Sequence, residues 1–444
     1  MRSAFTLIEM LVSLVITMIM MFAVVTLFQV MTDSVSGSRA LMEASDRLRA
    51  CRNRLQADLL GATATMAPPL RPENNEGYFE LGEGVTFDGN NGKVGNGASL
   101  YGDTDDYLAF TTRSRNEAFV GFLASTGTAT SQTAEVIYFL GQSGTEPILD
   151  ANQSPPTRLY TLYRRVLLVI SPGPMITNAD DISQRSGISG QIPNTLGDLT
   201  KPENRFNHNA SGTFPFQMAL PLAGFVGPRL GDDIILTNVL AFDAQVFDPG
   251  APVFVTTAAP QLAVEPRDQG YRNLLVAWIK NGYPYPNASA PSSFGAFADL
   301  GYGFNILATP PTPPPVTYYN PPTGPPSTLP IPLFSGAADA KSGWVALSPQ
   351  FYDTWSLHYE NDGVQQRSTW GTDTGTNGLD DNSNGIVDDA VYKIPPVTGT
   401  DTGEADTLPP YSAKLRGVRI TVRVYEPSSQ QVREISVVQE FLPE

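Results

Sequence analysis

Between Asp373 and Asp389 the sequence reads DTGTNGLDDNSNGIVDD, and its oxygen-bearing side chains recur at alternate positions. Asp380, Asn382, Asn384 and Asp388 can converge on one hard cation if the backbone turns sharply, which Gly385 permits; Ile386 then contributes its carbonyl. The bidentate carboxylate usual at the end of such a loop is missing, since Val391 stands there, and Asp389 is the substitute. The chemistry expected is Ca2+ binding that orders a loop. The competing reading is an acidic, solvated turn with Asn-Gly bends, whose charges repel one another.

The first nine positions from Asp380 fit an EF-hand-type calcium loop. The near-repeat of Asn377–Asp381 and Asn384–Asp389 resembles the acidic calcium repeats of thrombospondin type 3 modules more than a helix-flanked hand. Other reactive groups are sparse. The lone cysteine, Cys51, falls in a helical pattern and cannot form an internal disulfide, so it is expected to be buried against a neighbouring element. The two histidines, His208 and His358, are far apart and have no ligand-type neighbour at metal spacing. Asp105-Asp106 and Asp232-Asp233 read as solvated strand starts, because adjacent strand residues point to opposite faces. No HExxH, GxSxG, Walker or GxGxxG pattern occurs, and the reading is non-enzymatic.

One further group, Glu9, is notable for its surroundings. It is the single carboxylate in an apolar run from Phe5 to Phe28, preceded by one cation, Arg2. Roughly 24 residues at about 1.5 Å each span a hydrocarbon core of about 30 Å. A carboxylate near the start of such a helix costs a few kcal/mol in lipid, about 2.5–3.5 on insertion scales, and calls for a partner charge. The N-terminus MRSAFTLIEMLV resembles the class III signal of type IV pilins and type II secretion pseudopilins. The resemblance implies cleavage by a prepilin peptidase between Ala4 and Phe5, with Ala in place of the usual Gly, and methylation of the new Phe5 amine. It implies that Glu9, fifth in the mature chain, meets the N-terminal amine of a neighbouring pilin or pseudopilin subunit. It also implies a single pass through a bacterial inner membrane, with the head in the periplasm or on a surface filament. An ordinary secretory signal cut after Ser34–Ser36 and an uncleaved anchor are the competing readings; the long, carboxylate-bearing apolar run argues against the first.

The elements that must position these groups follow in chain order. Residues 1–4 form the leader, 5–31 the transmembrane and assembly helix, and 32–66 an amphipathic helix continuing into the head. Thr32–Ser38 is a weak spot, whereas Leu41, Ala44, Leu48, Cys51, Leu55 and Leu59 make an apolar stripe opposite Arg47, Arg52, Arg54 and Gln56. The helix must end before Pro68-Pro69. Residues 67–444 form a β-rich head. Strands are expected at Tyr107–Thr112, Glu135–Leu140 and Arg158–Ile170, the last two as an antiparallel pair. A strand bending at Asn238 runs to Phe247 and is ended by Pro249-Gly250; a terminal hairpin of Lys414–Tyr425 and Val432–Phe441 has one wet face. Arg54–Leu60, the central hairpin and the terminal one resemble J-type minor pseudopilins and PilW-like minor pilins.

Irregular insertions at about 171–229 and 284–332, the second proline-rich, are read as presented outward. The fold class is thus α+β: a long N-terminal helix packed on an antiparallel sheet head. With 28 Lys and Arg against 44 Asp and Glu, the net charge is −16, which disfavours nucleic acid as a partner. A filament-tip or membrane-anchored binding module, an adhesin or cargo receptor, is the alternative to a structural subunit; a membrane-tethered hydrolase would need a converged polar pocket.

Overall fold

The computed structural model describes residues 7–68, 70, 72–83, 103–123, 127–141, 148–150, 157–170, 181–187, 190–208, 218, 233–256, 260–266, 268, 270, 271, 273–275, 291–302, 334, 351–354, 411 and 413–441. A single helix, α1 (Leu7–Leu60), runs 54 residues without a break. It continues through the Thr32–Ser38 weak spot, where the Thr32 and Ser38 hydroxyls donate to the carbonyls of Phe28 and Ser34 at 2.8 Å each. The helix stops at Leu60, ahead of the prolines. Gly61 then brings the chain so close to the sheet that a Cβ there would lie 2.3 Å from the Arg113 carbonyl oxygen. From that point the backbone pairs with the sheet: Arg113 N–H donates to Gly61 and Thr63 N–H donates to Thr111.

Among the described residues sixteen strands follow: β1 (Phe79–Gly82), β2 (Tyr107–Arg113), β3 (Phe119–Leu123), β4 (Gly127–Ser131), β5 (Thr133–Gly141), β6 (Ile148–Asp150), β7 (Thr157–Arg158), β8 (Tyr160–Leu168), β9 (Gln184–Gly187), β10 (Gly190–Pro193), β11 (Ile234–Val255), β12 (Ala263–Val264), β13 (Ser293–Ala298), β14 (Phe351–Asp353), β15 (Gly417–Glu426) and β16 (Gln431–Glu440). Ten of them form one sheet in the order β14-β1-β2-β5-β8-β11-β15-β16, with β12 and β13 joined to the far end of β11. The expected β5–β8 pair is present, with Tyr138 opposite Arg164, and so is the terminal hairpin.

The long β11 bends where expected, at Asn238, which takes a positive φ of 58°. Pro249-Gly250 does not end it, however. The register shifts between Asp248 and Pro252 as β11 meets β13, and Asp248 Oδ1 accepts the Gly250 N–H at 2.8 Å. A proline seated in such an irregularity gives up no ladder hydrogen bond, so the strand passes through it.

Strand alternation sorts side chains to two faces. Leu108, Phe110, Val136, Tyr138, Leu162, Phe242, Ile420 and Val422 pack beneath the helix stripe of Leu48, Cys51, Leu55 and Leu59. Tyr78, Tyr107, Ile137, Phe139 and Tyr163 face the other way and are also buried, with Leu199 and Met218 against them. The insertion at 171–229 is therefore not simply presented outward: among its described residues, Leu199, Phe206 and Met218 pack on this second face. Thr421, expected on a wet face, is also buried, on a strand flanked by β11 and β16.

Candidate functional site

The feature with no counterpart in a self-contained domain is the first half of α1. Every described side chain from Leu7 to Thr32 is exposed, including Leu11, Ile16, Met21, Phe22 and Phe28. These 26 helical residues extend about 39 Å, enough to cross a bilayer core of about 30 Å, and the segment has the length and composition of a membrane span. Its few hydroxyls bond within the helix: Thr17 to the Ser13 carbonyl at 2.7 Å, Thr26 to Phe22 at 2.9 Å and Ser13 to Met10 at 2.9 Å. Lipid offers no replacement partner, so this internal bonding suits the segment to a membrane. Glu9 stands in the first helical turn, where the N-terminal backbone dipole favours a negative charge. Ala4 and Phe5 lie outside the described residues.

The second half of α1 fixes that span to the head. Ala44, Leu48, Cys51, Leu55 and Leu59 are buried, as the stripe requires, and Arg47, Arg52 and Arg54 are exposed. Cys51 is a free thiol under the sheet, and burial pushes it up to about 12. Among these apolar positions sits one carboxylate, Asp58. Its two oxygens receive Arg164 Nε and Nη2 at 2.6 and 2.8 Å, and the Tyr138 hydroxyl donates to it at 2.5 Å. Burial, then the neighbouring Asp58 charge, raises the Tyr138 hydroxyl well above its ordinary value, so it stays protonated and donating. A bidentate guanidinium in a low-dielectric setting fixes both rotation and height of the helix. Apolar packing alone would permit small slides. Arg164 and Tyr138 fall in the strands assigned from sequence; nothing local to Asp58 marked it as their partner.

A second charged cluster lies on the opposite face. The Arg205 guanidinium is fully buried, with Nη1 2.7 Å from Glu80 Oε2 and Nη2 3.0 Å from Asp353 Oδ1. Its Nε donates to the Leu199 carbonyl at 2.8 Å, and it sits 4.0 Å over the Tyr78 ring. His208 Nε2 lies 3.0 Å from Glu80 Oε2, and Tyr107 donates to Glu80 at 2.7 Å. Burial opposes the charge on Glu80, but His208, Arg205 and Tyr107 outweigh it and hold the carboxyl down at about 2. Burial disfavours the His208 cation too, yet Glu80 wins and raises it. Asp353 goes the other way, up to about 7, because burial and the Glu80 charge exceed the pull of Arg205. Arg205 is bidentate to Asp353 and makes one bond to Glu80, but Glu80 is also held by His208 and Tyr107.

These four residues come from β1, the 194–208 segment and β14. His208, set aside in the sequence for want of nearby ligands, is thus paired through a contact 128 positions away. The aspartate pairs also differ from the solvated starts expected. Asp106 is buried ahead of β2, and Asp233 is buried beside Arg165, 3.0 Å from its Nη1. Both belong to a sheet covered on two sides, where a strand start is no longer at the surface. The calcium loop assigned to Asp380, Asn382, Asn384, Ile386, Asp388 and Asp389 lies outside the described residues, as do His358 and residues 303–333 of the proline-rich region.

Residues 1–25 match the family model described as the prokaryotic N-terminal methylation motif, a segment that contains Ala4, Phe5, Glu9 and most of the exposed helix. No curated protein and no solved structure matches the chain.

Proposed function

We propose, on the premise that an N-terminal methylation motif on an exposed apolar helix marks a type IV pilin-like chain, that this protein is a pseudopilin or minor pilin subunit. Prepilin peptidase cuts between Ala4 and Phe5 and the Phe5 amine is methylated. The helix holds the precursor in the bacterial inner membrane with the head in the periplasm, and then packs laterally against the helices of other subunits in a type II secretion pseudopilus or a type IV pilus-like filament.

The observation that carries this reading is the continuity of α1: one unbroken helix whose first half is wholly exposed and whose second half is locked by Asp58 into the sheet. A force on the membrane half passes directly to the head. Leaving lipid for a bundle of identical helices replaces one apolar surrounding with another, so helix packing and paired charge must supply the preference. Glu9, opposite a neighbour's positive N-terminus, supplies that charge and sets the axial register.

The test is co-expression of wild type and Glu9→Ala with the other filament subunits, followed by shearing and fractionation. Both proteins remain in the membrane fraction and only wild type enters filaments if the reading holds. Equal incorporation of Glu9→Ala would remove Glu9 from assembly.

A further inference from the structure

A third acidic cluster, separate from both described above, closes over the end of the β1–β2 pair. Glu83 follows β1, while Asp103 and Asp106 lead into β2. Each offers one carboxylate oxygen, and these oxygens lie within 4.8 Å of one another. All three residues are buried. The aspartates are fixed from behind. Asp103 Oδ1 accepts the N–H groups of Thr104 and Asp105 at 2.6 and 3.2 Å, and its carbonyl accepts the Phe242 N–H at 2.9 Å. Asp106 Oδ2 accepts the Ala244 N–H at 2.7 Å. The turn before β2 is thereby stitched to the middle of β11.

Glu83 differs from both. It is only 8% exposed, and neither of its carboxylate oxygens has a hydrogen-bond partner among the described residues. A buried carboxylate in that state has lost its hydration and gained nothing in exchange, a condition folded proteins rarely keep. Burial first, then the charges of Asp106, Asp299, Asp103 and Asp243, push Glu83 well above the ordinary carboxyl range. Acidic groups from the turn before β2, from β11 and from the residue after β13 thus surround the Glu83 carboxylate.

We infer that Glu83, Asp103 and Asp106 form a structural Ca2+ site that clamps the ends of β1 and β2 to β11. The donors are all carboxylate oxygens, the ligand class of hard cations. Oxygens bound to one Ca2+ at about 2.4 Å span at most about 4.8 Å across the ion, whereas around Mg2+ the span is about 4.2 Å. Glu83 is the bidentate ligand. The bound charge cancels the mutual repulsion of the cluster and ties the chain after β1 to the turn before β2, which is already bonded to β11. This site is distinct from the loop at 380–389 and does not depend on the role of the N-terminal helix.

The experiment uses the full chain in detergent, with Asp380→Asn and Asp388→Asn introduced so that the acidic loop does not contribute. The protein is stripped with a chelator and titrated with Ca2+ and, separately, Mg2+; bound metal is counted by native mass spectrometry and the unfolding midpoint is followed. One Ca2+ per chain, a rise in midpoint of at least 5 °C, a weaker response to Mg2+, and at least a 30-fold loss of Ca2+ affinity in Glu83→Gln are expected. No bound Ca2+ in the loop-substituted protein would overturn the site without recourse to any Glu83 variant. An unchanged Ca2+ response in Glu83→Gln would overturn it as well, leaving a carboxyl cluster that merely holds protons.

Discussion

Replacing Arg205 with methionine isolates the contribution of the buried cluster on the sheet's second face. Methionine keeps an apolar stem but lacks the guanidinium that lies over Tyr78, so the loss is chiefly electrostatic. Arg205→Met strips Asp353 of its bidentate partner and Glu80 of one of its two cations, in a site where both carboxylates are wholly buried. Breaking a buried ion pair by removing one member costs about 3–5 kcal/mol, because the other charge remains without water. Asp353, already pushed up to about 7, absorbs part of this by taking a proton, so the expected cost at pH 7 is at the lower end, about 3 kcal/mol. A domain's whole stability is about 5–15 kcal/mol.

The assay is urea unfolding of the full chain in detergent by near-ultraviolet circular dichroism. Residues 7–31 contain no Tyr or Trp, so the signal reports the head alone. A companion triple variant, Arg205→Met with Glu80→Gln and Asp353→Asn, removes the uncompensated charges and should recover at least half of the loss. A cost below about 1 kcal/mol for the single variant would place Arg205 among ordinary exposed ion pairs and refute the buried-network reasoning.

Three other perturbations follow from the geometry. His208 is raised in the folded chain, so its contribution is present below its unfolded value of about 6.5 and lost as pH rises through the folded one. Asp353 completes its own decline by about pH 7, and Glu80 acts only at the acid end. A stability profile should therefore fall as pH rises from about 6.5, and His208→Gln should flatten that fall; an unchanged slope would exclude His208 as a source of it. Asp58→Ala leaves Arg164 charged and half a helix unregistered, and should cost about 3 kcal/mol, measured by the same urea transition. Gly61→Ala forces a Cβ to within 2.3 Å of a backbone oxygen, and should cost about 2 kcal/mol; a neutral result would mean that the helix-to-sheet crossing relaxes freely.

The parts of the fold that read from sequence are those built on periodicity. The stripe from Ala44 to Leu59 has helical spacing and is buried as such; the alternation in β15 placed Val418, Ile420, Val422 and Val424 on one face, and they are there. What escaped was charge inside the core. Asp58, Glu80, Arg205 and Asp353 are ordinary polar letters in their own neighbourhoods, and only contacts spanning 106 to 148 positions make them partners. Covering the sheet on both faces also blurred the alternation of β2, whose six residues from Tyr107 to Thr112 are all buried. The polar composition of 194–208 suggested a solvated loop because its apolar anchors, Leu196, Leu199 and Phe206, are scattered among polar residues. One consequence concerns the head's role. Deleting about 171–229 to separate filament assembly from ligand attachment would also remove Arg205 and His208, and would unfold the head before either function was tested.

The central claim, that the N-terminal helix is a processed assembly element, is tested most directly by the mature N-terminus. The full chain is co-expressed with a prepilin peptidase and its first peptide is sequenced by mass spectrometry. A chain beginning at N-methylated Phe5 is the result this account requires. A chain that keeps Met1, or one that starts near Gly37 after ordinary signal cleavage, would contradict it.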